Sequence, residues 1–125
     1  MILGHGIDIV SVKRVQGMIK KWGEHFLKKI YTRQEIDYCQ KRKNAFLHFA
    51  SRFAAKEALL KAMGTGISNG IRLSEIEVGV KKSGAPILHL KGRTLGMAKK
   101  KGVRKMHLSL SDEEETAIAS VILEK

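Results

Sequence analysis

Cysteine is nearly absent: Cys39 stands alone among 125 residues, so no intramolecular disulfide can hold the fold and a packed core must do so. Long apolar runs are missing too, and no secretory leader is legible, so a soluble cytoplasmic chain without a membrane span is expected. No internal repeat or low-complexity linker divides the sequence. Its length suits one domain over residues 1–125, burying about two-thirds of its unfolded surface. Acidic residues are scarce, twelve against 24 lysines and arginines, for a formal net charge of +12 and a pI near 10.0. This balance predicts a polyanionic partner, which composition leaves open among nucleic acid, a phosphorylated ligand and an acidic protein. The excess is uneven: between Lys13 and Lys43 ten basic residues face three carboxylates.

The strongest positive signal is a helical stretch from Ala45 to Gly66, around which the rest of the chain is organised. Phe46, Phe49, Phe53, Ala54, Leu60 and Met63 recur at helical spacing, and Ala50, Ala55, Ala58, Leu59 and Ala62 leave little of the circumference polar. A helix this apolar belongs in a core. Arg52, Lys56, Glu57 and Lys61 must then each reach water, a partner or a ligand, because an unpaired buried charge is strongly unfavourable. Glu57 and Lys61 are four apart on one face, which suits either an exposed ion pair, worth about 0.3–0.5 kcal/mol, or a site. Gly64-Thr65-Gly66 ends the helix; it follows a helix rather than a strand, so it is not a dinucleotide-binding turn.

Residues 2–10 are apolar and β-branched, which predicts a buried strand interrupted by Asp8. An aspartate there either bonds nearby backbone at the strand end or coordinates a cation. Ser11 caps a predicted helix through Gly23, with Val12, Val15, Met18, Ile19 and Trp22 as its apolar stripe beside Lys13, Arg14, Lys20 and Lys21. His25 to Tyr31 is a second helical stretch, and Thr32 with Glu35 forms a capping box opening a third through Gln40. Lys41-Arg42-Lys43 is a charged connection. After the central helix, Ser68, Asn69 and Gly70 are turn formers in a loop from Ile67 to Arg72. A strand from Ser74 to Val80, a turn at Lys82 to Ala85 and a returning strand headed by Pro86 make a hairpin. Gly92 to Lys101 reads as a basic helix. In the strand Met106 to Leu110, the polar His107, Ser109 and Ser111 share one face; Asp112 to Glu115 turns the chain, and Thr116 to Leu123 is the last strand.

Asp8 and Glu57 could hold one hard cation through oxygen while leaving positions for water and phosphate, as magnesium prefers. With Lys61 one turn beyond Glu57, the set has what phosphoryl transfer needs: charge neutralisation, a base and a cation for the leaving oxygen. At these residues the chain resembles a known family. Gly6-Ile7-Asp8-Ile9, Arg52-Phe53-Ala54-Ala55-Lys56-Glu57-Ala58 with Lys61-Ala62, Gly64-Thr65-Gly66, and His107-Leu108-Ser109-Leu110 look like the holo-[acyl-carrier-protein] synthases of the phosphopantetheinyl transferase family. The likeness spans nearly the whole chain in order.

The resemblance implies an α+β fold, one small domain with an antiparallel sheet packed on a long central helix, assembled as a homotrimer with clefts between subunits. It implies transfer of phosphopantetheine from coenzyme A to a serine of apo acyl carrier protein for fatty acid biosynthesis, releasing adenosine 3',5'-bisphosphate and requiring magnesium. By motif position Asp8 and Glu57 would be metal ligands, Glu57 or a water it orients the base, and Lys61 the contact for the pyrophosphate. Arg52, Lys56, Gly64, Pro86, His107 and Ser109 would line the coenzyme A cleft; Arg14, Met18, Lys21 and Phe26 would meet the acidic carrier protein. Asp112 departs from the histidine that many members carry shortly after the strand serine. The rival readings are a basic nucleic-acid-binding module, for which aromatics are few at 6%, and a non-catalytic adaptor for an acidic protein.

Overall fold

The computed structural model describes residues 1–67 and 70–125, so the turn formers Ser68 and Asn69 lie outside the described residues. The chain runs β1 (Ile2–Ser11), α1 (Val12–Trp22), α2 (Glu24–Ile30), α3 (Arg33–Gln40) and α4 (Ala45–Met63). A 3-10 turn at Leu73–Glu75 leads into β2 (Ile76–Val80) and β3 (Pro86–Leu90), followed by α5 (Gly92–Lys100), β4 (Lys105–Glu113) and β5 (Thr116–Glu124). This is the expected α+β domain with antiparallel pairing, but the strands form two sheets. One is three-stranded in the order β1-β5-β4, the other is the β2-β3 hairpin.

Local sequence sets most boundaries. Ser11 accepts from the Arg14 amide at the head of α1. Thr32 and Glu35 exchange both bonds of a capping box on α3. Gly64 ends α4 at φ 73, a left-handed conformation in which a side chain would be strained. Two boundaries differ from the pattern. The run from Ser74 opens with the 3-10 turn because the Glu75 amide bonds Arg72 O and delays the strand to Ile76. Pairing of β4 with β5 persists to Glu113 opposite Thr116, so Asp112 and Glu113 belong to the strand and only Glu114–Glu115 turn.

Helix α4 is the core. Twelve of its nineteen residues are buried, and it lies across the inner face of the three-stranded sheet. That inner face is built from small residues: Gly4 and Gly6 on β1, Ala117 and Ala119 on β5. A Cβ on Gly6 would run into the carbonyl oxygen of Ala58, and one on Gly4 into that of Ala62. Helix and strand therefore touch backbone to backbone, which only glycine allows. Burial along α1 falls from Val12 and Val15, through half-buried Met18 and Ile19, to Trp22, which is 55% exposed. The expected apolar stripe outruns what it packs on, so Trp22 is not a core residue. No helix among the described residues is long and apolar enough to cross a membrane.

Candidate active site

The contact of β1 with α4 decides the site. Alternation along β1 turns Gly4, Gly6 and Asp8 toward the helix, and the two glycines let α4 come close enough for its side chains to reach Asp8. Lys61 bends back from the last turn of α4 and donates to Asp8 Oδ1 at 3.0 Å and to Ile7 O at 3.0 Å. Its ion pair is thus with Asp8, 53 residues away, rather than with Glu57 four residues before it.

Glu57 stands half-buried beside this pair. Burial raises its pKa above the ordinary carboxylate value and the Asp8 charge raises it further, while Lys61 and Arg14 pull it down. A half-buried carboxyl raised by burial and by a neighbouring carboxylate marks a place that a cation would relieve. The donor set is all oxygen, and Lys61 on Asp8 Oδ1 shows that the position draws positive charge. Among the described residues there is no group of three or more His, Cys, Asp or Glu side chains placed to hold a metal. An ion here would have two protein carboxylates and would complete its shell elsewhere, which suits magnesium and excludes a closed structural zinc site.

The remaining expected residues divide. Gly64 is exposed just past Lys61 and Pro86 opens β3, both clear of the core. Arg52 is buried on the side of α4 toward α3. Its guanidinium lies 4.2 Å from the centre of the Tyr38 ring, one nitrogen reaches His48 O at 3.4 Å, and Nε has no hydrogen-bond partner among the described residues. His48 beside it is held below its ordinary pKa by burial and by Arg52 and Arg42.

Lys56 corrects one expectation. It is fully buried, with its ammonium donating to Glu35 Oε1 at 2.7 Å, to Leu73 O at 3.0 Å and to Ile76 O. All three protons are used inside the protein, so none remains for coenzyme A. Glu35 is equally finished: its oxygens also accept from Thr32 N and Val78 N, both at 2.9 Å. Phe26 corrects another. It is buried with its ring edge-on to Tyr31 at 6.3 Å, a core residue rather than a docking one. Arg14, Met18 and Lys21 do lie on the open or half-open side of α1.

His107 and Ser109 are on the wrong side of the sheet to join Asp8 within one chain. Register places His5, Ile122 and His107 in one outer row and Ile7, Ser120 and Ser109 in the next, whereas Asp8, Ala119 and Leu110 form an inner row. His107 Nε2 meets Glu124 Oε1 at 2.8 Å and His5 Nε2 meets Ser120 Oγ at 3.2 Å, both on that outer face. Sequence reasoning missed Gly6 as the residue that admits α4, and Glu35 as the partner of Lys56. A glycine alternating with an aspartate on one strand face, opposite a helix rich in alanine, was the available signal for the first.

Residues 4–120 match one family, described as the 4'-phosphopantetheinyl transferase superfamily. The chain belongs to that superfamily. Over 124 residues, 99% of this chain and 99% of the other, it is 49% identical to a holo-[acyl-carrier-protein] synthase of Koribacter versatilis. The crystal structure of holo-[acyl-carrier-protein] synthase from Neisseria meningitidis is similar at a TM-score of 0.92 and 38% identity, covering 100% of both chains. The Bacillus anthracis synthase, solved in complex with CoA (3',5'-ADP), has a TM-score of 0.81 and 36% identity over 98% of this chain and 96% of that one. In this transferase fold the Asp8, Glu57 and Lys61 cluster is a partly exposed charged group that the core helix presents through its contact with β1.

Proposed function

We propose that the protein transfers phosphopantetheine from coenzyme A to a serine hydroxyl of apo acyl carrier protein, giving holo carrier protein and adenosine 3',5'-bisphosphate. The observation that carries the reading is the raised Glu57 carboxyl facing Asp8 and Lys61, in a chain 49% identical to a named synthase over its full length. Glu57 takes the serine proton, directly or through a water it orients, aided by a pKa raised above the ordinary carboxylate value. The serine oxygen then forms a bond to the phosphorus carrying pantetheine, and the bond from that phosphorus to the bisphosphate oxygen breaks. Lys61 places its ammonium where charge gathers on the departing phosphate. Asp8 and Glu57 would hold magnesium, which supplies neutralisation of the phosphate charge. Gly64 exposes backbone beside Lys61 for close approach of the pyrophosphate.

A homotrimer belongs to the same proposal. Ile7 and Ile9 stand 57% and 66% exposed on the outer sheet face, next to half-buried Ile118 and Ile122, a patch that a second copy would cover. Such packing also supplies what one chain lacks, by bringing His107 and Ser109 of one copy toward the Asp8 cluster of another. A cytoplasmic setting and a role in fatty acid biosynthesis complete the reading, and the free, buried Cys39, its thiol pushed up to about 12 by burial, accords with a reducing compartment. The nucleic-acid alternative has no support from the relatives, and the cluster at the core helix is built around paired carboxylates.

Weighing apo carrier protein after incubation with coenzyme A and magnesium tests the reading. The expected result is a gain of one phosphopantetheine, abolished by a chelator. An unchanged mass, or the same gain with the chelator present, would overturn it. Light scattering should give the mass of three 14.0 kDa chains, and a monomer mass for fully active protein would remove the shared site.

A further inference from the structure

Trp22 is the chain's sole tryptophan, and it is exposed at the last position of α1. Scattered exposed apolar residues need no explanation, but the setting of this one is particular. Helix α1 leaves directly from the site. Ser11, which caps it, follows Asp8 by three residues and accepts from the amide of Arg14 in its first turn. Eleven residues carry the helix about 16 Å outward, with Trp22 at the far end.

Every charged residue on this helix is cationic. Its sequence contains no carboxylate, and Lys21 lies over the Trp22 ring with its ammonium 5.1 Å from the centroid. Lys13 is engaged by Glu115 at 3.1 Å, but among the described residues no ion pair holds Arg14, Lys20 or Lys21. A protein that offers a serine to the Asp8 and Glu57 cluster must rest its body on a surface adjoining that cluster, and α1 is such a surface. Unpaired cations attract an acidic partner and steer its approach; a large aromatic at the far end supplies the desolvated anchor that charge alone does not.

We propose that Trp22 is the principal apolar anchor for the acidic protein substrate, which lies along α1 with Trp22 at one end and its reactive serine at Asp8 and Glu57 at the other. This rests on the transferase reading. It gives the docking surface the aromatic residue that buried Phe26 cannot be. Because contact at Trp22 is remote from the reacting atoms, it sets affinity for the carrier and leaves the chemical step and coenzyme A binding alone.

The lone tryptophan makes the test direct. Acrylamide quenching of the wild-type protein, with a tryptophan-free apo carrier as titrant, reads the exposure of Trp22 itself. The indole should be readily quenched in the free assembled protein and shielded at saturating carrier. Trp22→Ala should raise KM for the carrier about tenfold while kcat and KM for coenzyme A stay within about twofold, and Trp22→Phe should recover most of the loss. Quenching unchanged by saturating carrier would overturn the proposal. So would an indole already shielded in the free protein, which would assign it to a contact between copies, or equal shielding by a nucleic-acid oligomer. A wild type that leaves the carrier's mass unchanged with coenzyme A and magnesium would bring down the transferase reading and this proposal with it. Transfer that proceeds without shielding Trp22 would bring down this proposal alone.

Discussion

Helix α4 carries two charged clusters on adjacent residues, and they are opposites. Lys56 reaches into the protein, where its ammonium has three acceptors and its partner Glu35 has three donors, with both side chains fully buried. Glu57, one residue on, is half-buried, faces the like charge of Asp8 and titrates above its ordinary range through burial and that charge. The first cluster is complete and ties α3, α4 and the start of β2 together. The second is incomplete, because Lys61 pairs with Asp8 and leaves Glu57 half-buried beside a like charge, a state that a further cation would relieve. A buried charge that is fully satisfied organises the fold, whereas a partly exposed charge left in conflict marks the chemistry.

Substitutions can separate the two. Asp8→Asn and Glu57→Gln should each lower transfer on the order of 10³-fold with the circular dichroism spectrum kept, since each would remove a carboxylate charge from the proposed metal site at nearly constant volume. Near-normal turnover in either folded variant would erase the distinction. Lys56→Met should show the reverse pattern, costing about 3–5 kcal/mol in urea unfolding because Glu35 is left buried and uncompensated. A Lys56 variant as stable as the parent but unable to bind coenzyme A would return this lysine to the cleft. Gly6→Ala lies between them. Its methyl meets the Ala58 carbonyl, so a loss near the upper end of about 1–3 kcal/mol is expected as α4 is pushed outward, with transfer falling as Glu57 leaves Asp8. A Gly6→Ala protein with parental stability and rate would show that the close approach does not set the site. The smallest effect is on the outer sheet face, where Ile9→Ala should weaken each contact of the proposed trimer by about 1–2 kcal/mol. Light scattering across a dilution series would detect it as earlier dissociation; unchanged dissociation would place the interface elsewhere.

Signals carried by neighbouring residues were legible in the sequence, and signals carried by distant ones were not. The caps at Ser11, Thr32 with Glu35, and Gly64 occupy their predicted places because each depends on a few adjacent residues. The apolar helix was legible from its period alone, although its destination against Gly4 and Gly6 was not. Lys56 looked like a residue in search of a ligand because its partner Glu35 lies 21 positions earlier, inside a capping box whose second role leaves no trace in spacing. Alternation placed His107 and Ser109 on one polar face, but only the strand order β1-β5-β4 shows that this face is turned away from Asp8. Trp22 continued a correct apolar stripe past the point where the helix had anything to pack on.

The central claim is that Glu57 is held in an unfavourable charged state that a metal ion relieves, and melting temperature reads it directly. With its carboxyl raised, the folded state keeps the Glu57 proton longer than the unfolded chain does, so stability falls as pH rises from the ordinary carboxylate range through the raised pKa. Above the raised pKa that penalty is fully present. Without magnesium, Glu57→Gln should therefore melt higher than the wild type; with magnesium, the wild type should rise and the variant should not. A Glu57→Gln protein that melts lower than the parent in the absence of metal, and gains as much from magnesium as the parent does, would contradict the account.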